Sequence, residues 1–557
     1  MYHHAMRACG VALALVAVAG AGCKRASSPA AAPSASASSA KDPASTKAAT
    51  RISCTALGCP PDTTAPPVDG GELVVWVDAE PAILNDLVEH DAWSRWILEN
   101  QIIETLLQED PWTGALQPRL AERLELTADA LTLHLRRGVK WHDGKPFTAA
   151  DVAFTINTAR DPKVGADQRS DFEPVSAVET PDEATVILRL ARPAPFLRQA
   201  LAHLGILPEH LYKGRDLRRA EASRAPVGTG PFKLASWTPG EAIILERNAD
   251  YWGQKAHLTR VRFRIVRDKL AAWELYRRGE LDLLWNVPPA RFEEAQSDPQ
   301  LAGHRLLAWT PPAYFFIVWN TQRGRLGDAR VRRALTMLVD RERFDRVAFN
   351  GHARRITGPF APGTPSYDAS VQPWPYDPAA AKQLLAEAGV KSMKLTFLAT
   401  AGSRTVEQLA TMMKEDFAHA GITLEVATVD FAVQLDRLRY HAFDASALQW
   451  TIAARDADVY DLFHSSQANG GQNYGAWKSP AADALLDEIR HTADDNARHQ
   501  LEQELHRLIH EQQPYTFLSM REVETLVAPR VHALSPSPDG FDFARAWVTP
   551  AGGAGGQ

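Results

Sequence analysis

Cysteine is scarce in this chain, with four among 557 residues and none after Cys59. That excludes a disulfide-stapled scaffold for everything beyond that point, where the fold must rest on an apolar core. Cys54 and Cys59 have no histidine nearby and are too few ligands for a zinc site, which leaves a local disulfide or two free thiols. Charge of one sign is missing as well. The 61 Lys and Arg stand against 67 Asp and Glu, a net charge of −6, so no nucleic-acid footprint is present. Long apolar runs are absent too. Val11 to Ala19 is too short to span a membrane, which takes about 20 residues.

Catalytic signatures are also lacking. No G-x-S-x-G elbow, Walker A loop or G-x-G-x-x-G occurs, and Gly228-Thr-Gly230 runs into Pro-Phe and opens no helix. His506 and His510 have the spacing of a zinc pair, but residue 507 is Arg where H-E-x-x-H needs Glu. They are expected as exposed or half-buried helix residues. Glu293-Glu294 and Asp494-Asp495 lie in polar segments and read as solvated surface or caps. The chain therefore reads as no enzyme, and no cofactor or metal is implied.

What is present is patterned. Leu131, Leu133 and Leu135 alternate with Thr132, His134 and Arg136, the period of a strand with one face buried. Asp143-Gly144 marks a tight turn, and His142 beside it reads as structural. Thr148 with Asp151 is close to a capping box, with Phe147 and Val152 placed for a hydrophobic staple. Leu73, Val75 and Val77 predict another strand, as do Val186, Leu188 and Leu190, and Tyr314 to Trp319 an almost fully apolar one. Asp377-Pro378 to Gly389 and Ser479-Pro480 onward are helices with an N-cap and proline at N1. The alternation argues an α/β fold. Roughly 490 residues past position 70 allow about three lobes.

The wording of Arg137 to Val152 (RGVKWHDGKPFTAADV) goes further than its physics. It resembles the extracellular solute-binding proteins of peptide-type ABC importers, the dipeptide- and oligopeptide-binding family (family 5). Pro226 to Phe232 (PVGTGPF), Asn248 to Gly253 (NADYWG) and Asp328 to Arg343 also resemble that family, in the same order. The resemblance implies a two-lobed periplasmic-binding-protein-like fold with a hinge and an extra β-rich subdomain. Lobe I would take 71–115, 226–311 and 526–557, the inserted subdomain 116–225, and lobe II 312–525. The hinge would lie near Pro311-Pro312 and Gln513-Pro514, and closure about it would trap the solute.

Residues 1–23 read as a signal peptide, with Arg7 as its basic region and Gly20-Ala-Gly-Cys23 resembling a lipobox. Cys23 is then the lipidation site. Residues 24–70, rich in Ala, Ser, Pro and Thr, are expected as an unfolded tether. The implied place is the periplasmic face of the cell envelope, through a lipid anchor.

Site residues follow from the resemblance. In peptide-binding members a Trp-x-x-Asp stretch on lobe II holds the ligand backbone and its ammonium group. Trp450 and Thr451 match it, but the Asp falls on Ala453. A buried ammonium without a counter-charge costs several kcal/mol, so either Asp456 or Asp458 substitutes, or the ligand lacks an amine there. On lobe I, Asp91 and Trp93 match the ligand-facing segment, although Trp93 and Trp96 also suit a core. Fifteen tryptophans keep an oligosaccharide open as ligand. An opine, a metal complex or haem on the same scaffold would need a cleft histidine or arginine cluster. The expected partners are a peptide or other small solute and membrane permease subunits, with the protein itself a monomer.

The anchor is directly testable. Cys23→Ser is expected to move the protein out of the membrane fraction with its domain still folded. Retention on membranes after a salt wash would refute the lipobox reading.

Overall fold

The computed structural model describes residues 50–54, 59, 65–89, 91–110, 115–127, 129–452, 457–469, 471–537 and 540–550. The signal and lipobox expectations, Cys23 included, lie outside them, as do Ala453 and Asp456. No described helix is long and apolar enough to cross a membrane.

Three sheets organise the chain. An eight-stranded sheet combines Thr50–Ser53, Glu72–Val77, the three strands between Phe232 and Ile265, Leu283–Leu284, Arg305–Trp309 and Val523–Val527. Its two faces bury separate cores, Leu73, Val75 and Leu307 on one and Trp76, Leu306 and Ala308 on the other. A six-stranded sheet is built on Ala313–Trp319, whose residues alternate between two further cores. A strand buried on both faces needs no polar alternation, which is why this one reads as a continuous apolar run. The four-stranded antiparallel sheet between Ala121 and Leu190 shares the first core of the eight-stranded sheet.

Local expectations are met closely. Ala130–Leu135 pairs with Thr185–Leu190, placing Leu131 opposite Leu188 and Leu133 opposite Val186, all four buried. The helix Ala149–Arg160 starts at Thr148, whose backbone N–H donates to Asp151 Oδ2 at 2.9 Å, with Phe147 and Val152 both buried. Asp377 caps Pro378–Glu387 by accepting from Ala379 and Ala380.

Two of the family-like blocks converge on one buried carboxylate. Glu104 Oε1 accepts from Arg119 Nε at 2.8 Å and Tyr251 Oη at 2.7 Å, while Oε2 accepts from Thr229 Oγ1 at 2.7 Å and Trp252 Nε1 at 2.8 Å. Thr229, Tyr251 and Trp252 come from the PVGTGPF and NADYWG segments. His142 ties in the first block. Its backbone N–H donates to Gly228 O at 2.8 Å, and its Nε2 lies 3.0 Å from Gly230 O. The residue is half-buried, and desolvation pushes its pKa down to about 4, so it works as a neutral bridge. Gly228 and Gly230 are required by close approach, since a Cβ at either would lie within 2.5 Å of the carbonyl oxygen of Ile102 or Gln101.

Three expectations fail. Thr50–Ser53, expected inside the tether, form an edge strand parallel to Arg305–Trp309, with Thr50 N donating to His304 O and, just past the strand, Cys54 N to Ala308 O. Cys54 and Cys59 are bonded, and Cys59 is buried in the core, so the folded part does contain cysteine. Second, Gln513-Pro514 is not a crossover. Gln513 takes the left-handed conformation that ends Asp495–Gln512, and Tyr515–Arg521 still belongs to the six-stranded sheet. The chain changes sheet at Glu522, and the first sheet resumes at Val523 rather than at 526. Third, His506 and His510 are buried, not exposed or half-buried. His506 Nε2 lies 2.9 Å from Thr357 Oγ1 and His510 Nδ1 3.0 Å from Thr357 O. Burial pushes the His506 pKa down to about 3.

Glu104→Gln is expected to cost about 3–5 kcal/mol in urea unfolding, because Arg119 is left buried without its counter-charge. Removing the exposed Glu179–Arg189 pair should leave the midpoint where it is.

Candidate functional site

Two neighbouring strands cross between the large sheets. Arg305–Trp309 passes through Thr310-Pro311-Pro312 into Ala313–Trp319, and Tyr515–Arg521 passes through Glu522 into Val523–Val527. This fixes direction everywhere else. Glu72–Val77, Arg260–Ile265 and Leu283–Leu284 run the same way as Arg305–Trp309, so their C-terminal ends face the second sheet. Met393–Thr400, Ile422–Val429 and Ala445–Thr451 are mutually parallel and antiparallel to Ala313–Trp319, so their C-terminal ends face back. Strands of the two sheets thus point their carboxyl ends at each other across the junction, the usual place for a ligand in α/β sheets.

On the first edge stand Asp78, Glu80, Lys269, Trp285 and Trp309. Asp78 Oδ1 accepts from Trp93 Nε1 at 2.7 Å and its other oxygen lies 3.8 Å from Lys269 Nζ. Burial pulls the Lys269 pKa down, partly offset by Asp78. Glu80 accepts from Trp237 Nε1 at 2.8 Å, and Arg224 lies over that ring. Trp285 packs edge-on against Trp96 at 4.5 Å and tilted against Trp309 at 5.6 Å, forming an aromatic wall next to the crossover.

The expected site residues take mixed roles. Asp91 caps Ala92–Leu98, its Oδ1 accepting from Trp93 and Ser94 at 2.9 Å, while burial pushes its carboxyl up. Trp93 is buried and serves the edge through Asp78. Trp450 is only 7 % exposed and stacks between Phe316 and Tyr474. Thr451 ends its strand, exposed and paired with Ala313 at the crossover. Asp458 already has a cation: Arg490 donates to it from Nε at 2.8 Å and Nη2 at 2.7 Å, with its guanidinium 3.7 Å from the Tyr460 ring.

Sequence reading missed Asp78, Lys269, Trp285 and Arg490. Asp78 stands just past the C-terminal end of the predicted Leu73–Val77 strand, a position that would have singled it out; the pairing of Arg490 with Asp458 carries no sequence signal.

The edges thus carry aromatic faces, indole donors, a carboxylate–ammonium pair and a hydroxyl at a strand end. That is equipment for recognition. The helix Leu197–His203, capped by Phe196, meets the helix Asp495–Gln512, with Arg198 Nη2 3.4 Å from Asp495 Oδ1 and Arg498 lying over Phe196.

Residues 115–472 match the family model for bacterial extracellular solute-binding proteins, family 5. The chain is 29% identical over 511 residues to the oligopeptide-binding protein AppA of Bacillus subtilis, covering 86% of this chain and 92% of that one. It is 26% identical over 492 residues to heme-binding protein A of Haemophilus influenzae, covering 83% and 88%. The structure of Bacillus subtilis AppA in complex with a nonapeptide superposes with a TM-score of 0.71 at 27% identity, over 87% of this chain and all of that one.

Proposed function

Since the chain belongs to the bacterial extracellular solute-binding proteins of family 5, a family of non-catalytic ABC-import components, we propose that it captures peptides between its lobes and hands them to membrane permeases. The cleft between opposed strand ends carries this reading. Exposed strand ends offer main-chain groups to an extended ligand, as in strand addition, so side chains can vary. Thr451 and the edge of Trp450 meet the ligand backbone from lobe II, and Asp91 and Trp93 support lobe I by holding Asp78 in place. Lobe I is 71–115, 226–311 and the tail resuming at Val523, the insert 116–225, and lobe II 312–521. The protein works as a monomer, anchored at the periplasmic face of the cell envelope by acylated Cys23, with ATP hydrolysis on separate chains.

The amine site belongs to Asp456. Asp458 is engaged by Arg490, which leaves Asp456 as the carboxylate able to replace the one absent at Ala453. Asp456→Asn should weaken a free-amine peptide by about 1.5–3 kcal/mol and leave its N-acetylated twin almost unaffected, measured by calorimetry. Equal affinity of the parent protein for both twins would sink the amine reading. That outcome favours a solute without an ammonium group, such as a sugar or a blocked peptide, against the half-buried pair Trp96 and Trp285.

A further inference from the structure

Two cations on the rim of the first sheet lack anions of their own. Sheet order sets Val523–Val527, Leu283–Leu284, Glu72–Val77 and Arg260–Ile265 side by side, so the residues at their junction ends line one edge. Arg521, the last lobe II residue before the crossover, donates from Nη2 to Asn286 Oδ1 at 2.6 Å, just past Leu283–Leu284. That is its one side-chain hydrogen bond among the described residues, and it goes to a neutral amide. Lys269 Nζ lies 3.8 Å from Asp78 Oδ2, too far for a hydrogen bond, and Asp78 already accepts from Trp93 Nε1 at 2.7 Å. The other carboxylates here are engaged. Glu522 accepts from Arg51 at 3.0 Å, Glu80 from Trp237 Nε1 and Gly240 N, and Asp268 caps Lys269–Arg277 by accepting from Ala271 N. Glu524 is the carboxylate whose field reaches Arg521, but burial pushes it up to about 7, so it offsets the guanidinium only in part. Arg521 and Lys269 are both half-buried, as are Asn286 and Trp285 between them.

We infer that Arg521 and Lys269, one from each lobe, seat a carboxylate of the solute beside Trp285. Two half-buried cations on one rim lose hydration that the protein's own anions do not replace, and a carboxylate arriving from solution replaces it. The guanidinium keeps Nε and Nη1 for parallel bonds to the two oxygens, and the ammonium can turn to either. Desolvation pulls the pKa of both cations down, and the charge of Arg521 adds to the fall at Lys269, so the two share one field. A peptide then lies with its carboxyl end at this rim. Ala313 pairs with Thr451 on one side, and Tyr314 pairs with Met520 on the other. Thr451 and Arg521 therefore stand level across three strands, about 10 Å apart, and the amino end of the peptide lies toward Thr451. An anion held by both lobes also couples the charge of the solute to closure.

The inference rests on the peptide reading, and matched probes on the full chain keep the two apart. A mixed-sequence peptide pool is prepared once as free acids and once as C-terminal amides, and each is titrated by calorimetry. The parent should bind the acids about tenfold or more tighter than the amides. Lys269→Gln and Arg521→Gln should each bring that ratio toward one while binding the amides as the parent does, which also reports that the cleft is intact. Equal affinity of the parent for both pools, or an acid preference unchanged in either folded variant, overturns the seat and leaves peptide capture standing. If Arg521→Gln fails to fold, Lys269→Gln decides alone. Binding of neither pool removes the peptide reading, and citrate then decides the seat. Against chloride at equal ionic strength, citrate should raise the thermal midpoint of the parent and leave that of Lys269→Gln in place. No rise in the parent, or the same rise in both, overturns it.

Discussion

Adjacent antiparallel strands that leave one sheet together and enter another together set the geometry of this molecule. Because Arg305–Trp309 and Val523–Val527 are neighbours on one side, and Ala313–Trp319 and Tyr515–Arg521 on the other, both sheets are forced into register at the junction. Parallel partners of these strands then present carboxyl ends to each other across a gap. A cleft, a hinge of two short connections and a face for extended ligands follow from that single constraint. Two connections permit bending about one axis while opposing twist, which suits opening and closing.

The first lobe must be rigid for such bending to be useful, and Glu104 supplies much of that rigidity. Four donors from four separate positions fill both carboxylate oxygens, so the charge is buried without being orphaned. Around it the Gly228-Thr-Gly230 turn lies against Gln101 and Ile102 too closely for any side chain. The PVGTGPF and NADYWG segments are thus structural parts, which close one buried network around Glu104.

Features whose physics is local were legible in the sequence. The strand at Leu131–Leu135, the Thr148–Asp151 cap and the Asp377 cap each depend on neighbours within a few residues. What escaped depends on distant partners. The strand Thr50–Ser53 exists through backbone hydrogen bonds to a strand some 250 residues away, which no side-chain pattern announces. Gln513-Pro514 has the composition of a connection, yet strand pairing, and not composition, decides where the chain changes sheet. His506 is buried by Thr357 and Tyr367, far off in sequence. Of the candidate site, Trp450 and Thr451 come from a resemblance and from no local pattern, and what Trp93 and Asp458 touch emerges only with Asp78 and Arg490 beside them.

The central claim is that the opposed strand ends hold a peptide. Native mass spectrometry of the protein purified without denaturation tests it most directly, because a closed cleft should retain what it captured. The account predicts a ladder of bound masses whose differences match amino-acid residues, lost together on unfolding. A single discrete non-peptide mass, such as haem, would contradict it, as would a bare chain that stays bare after incubation with a peptide pool.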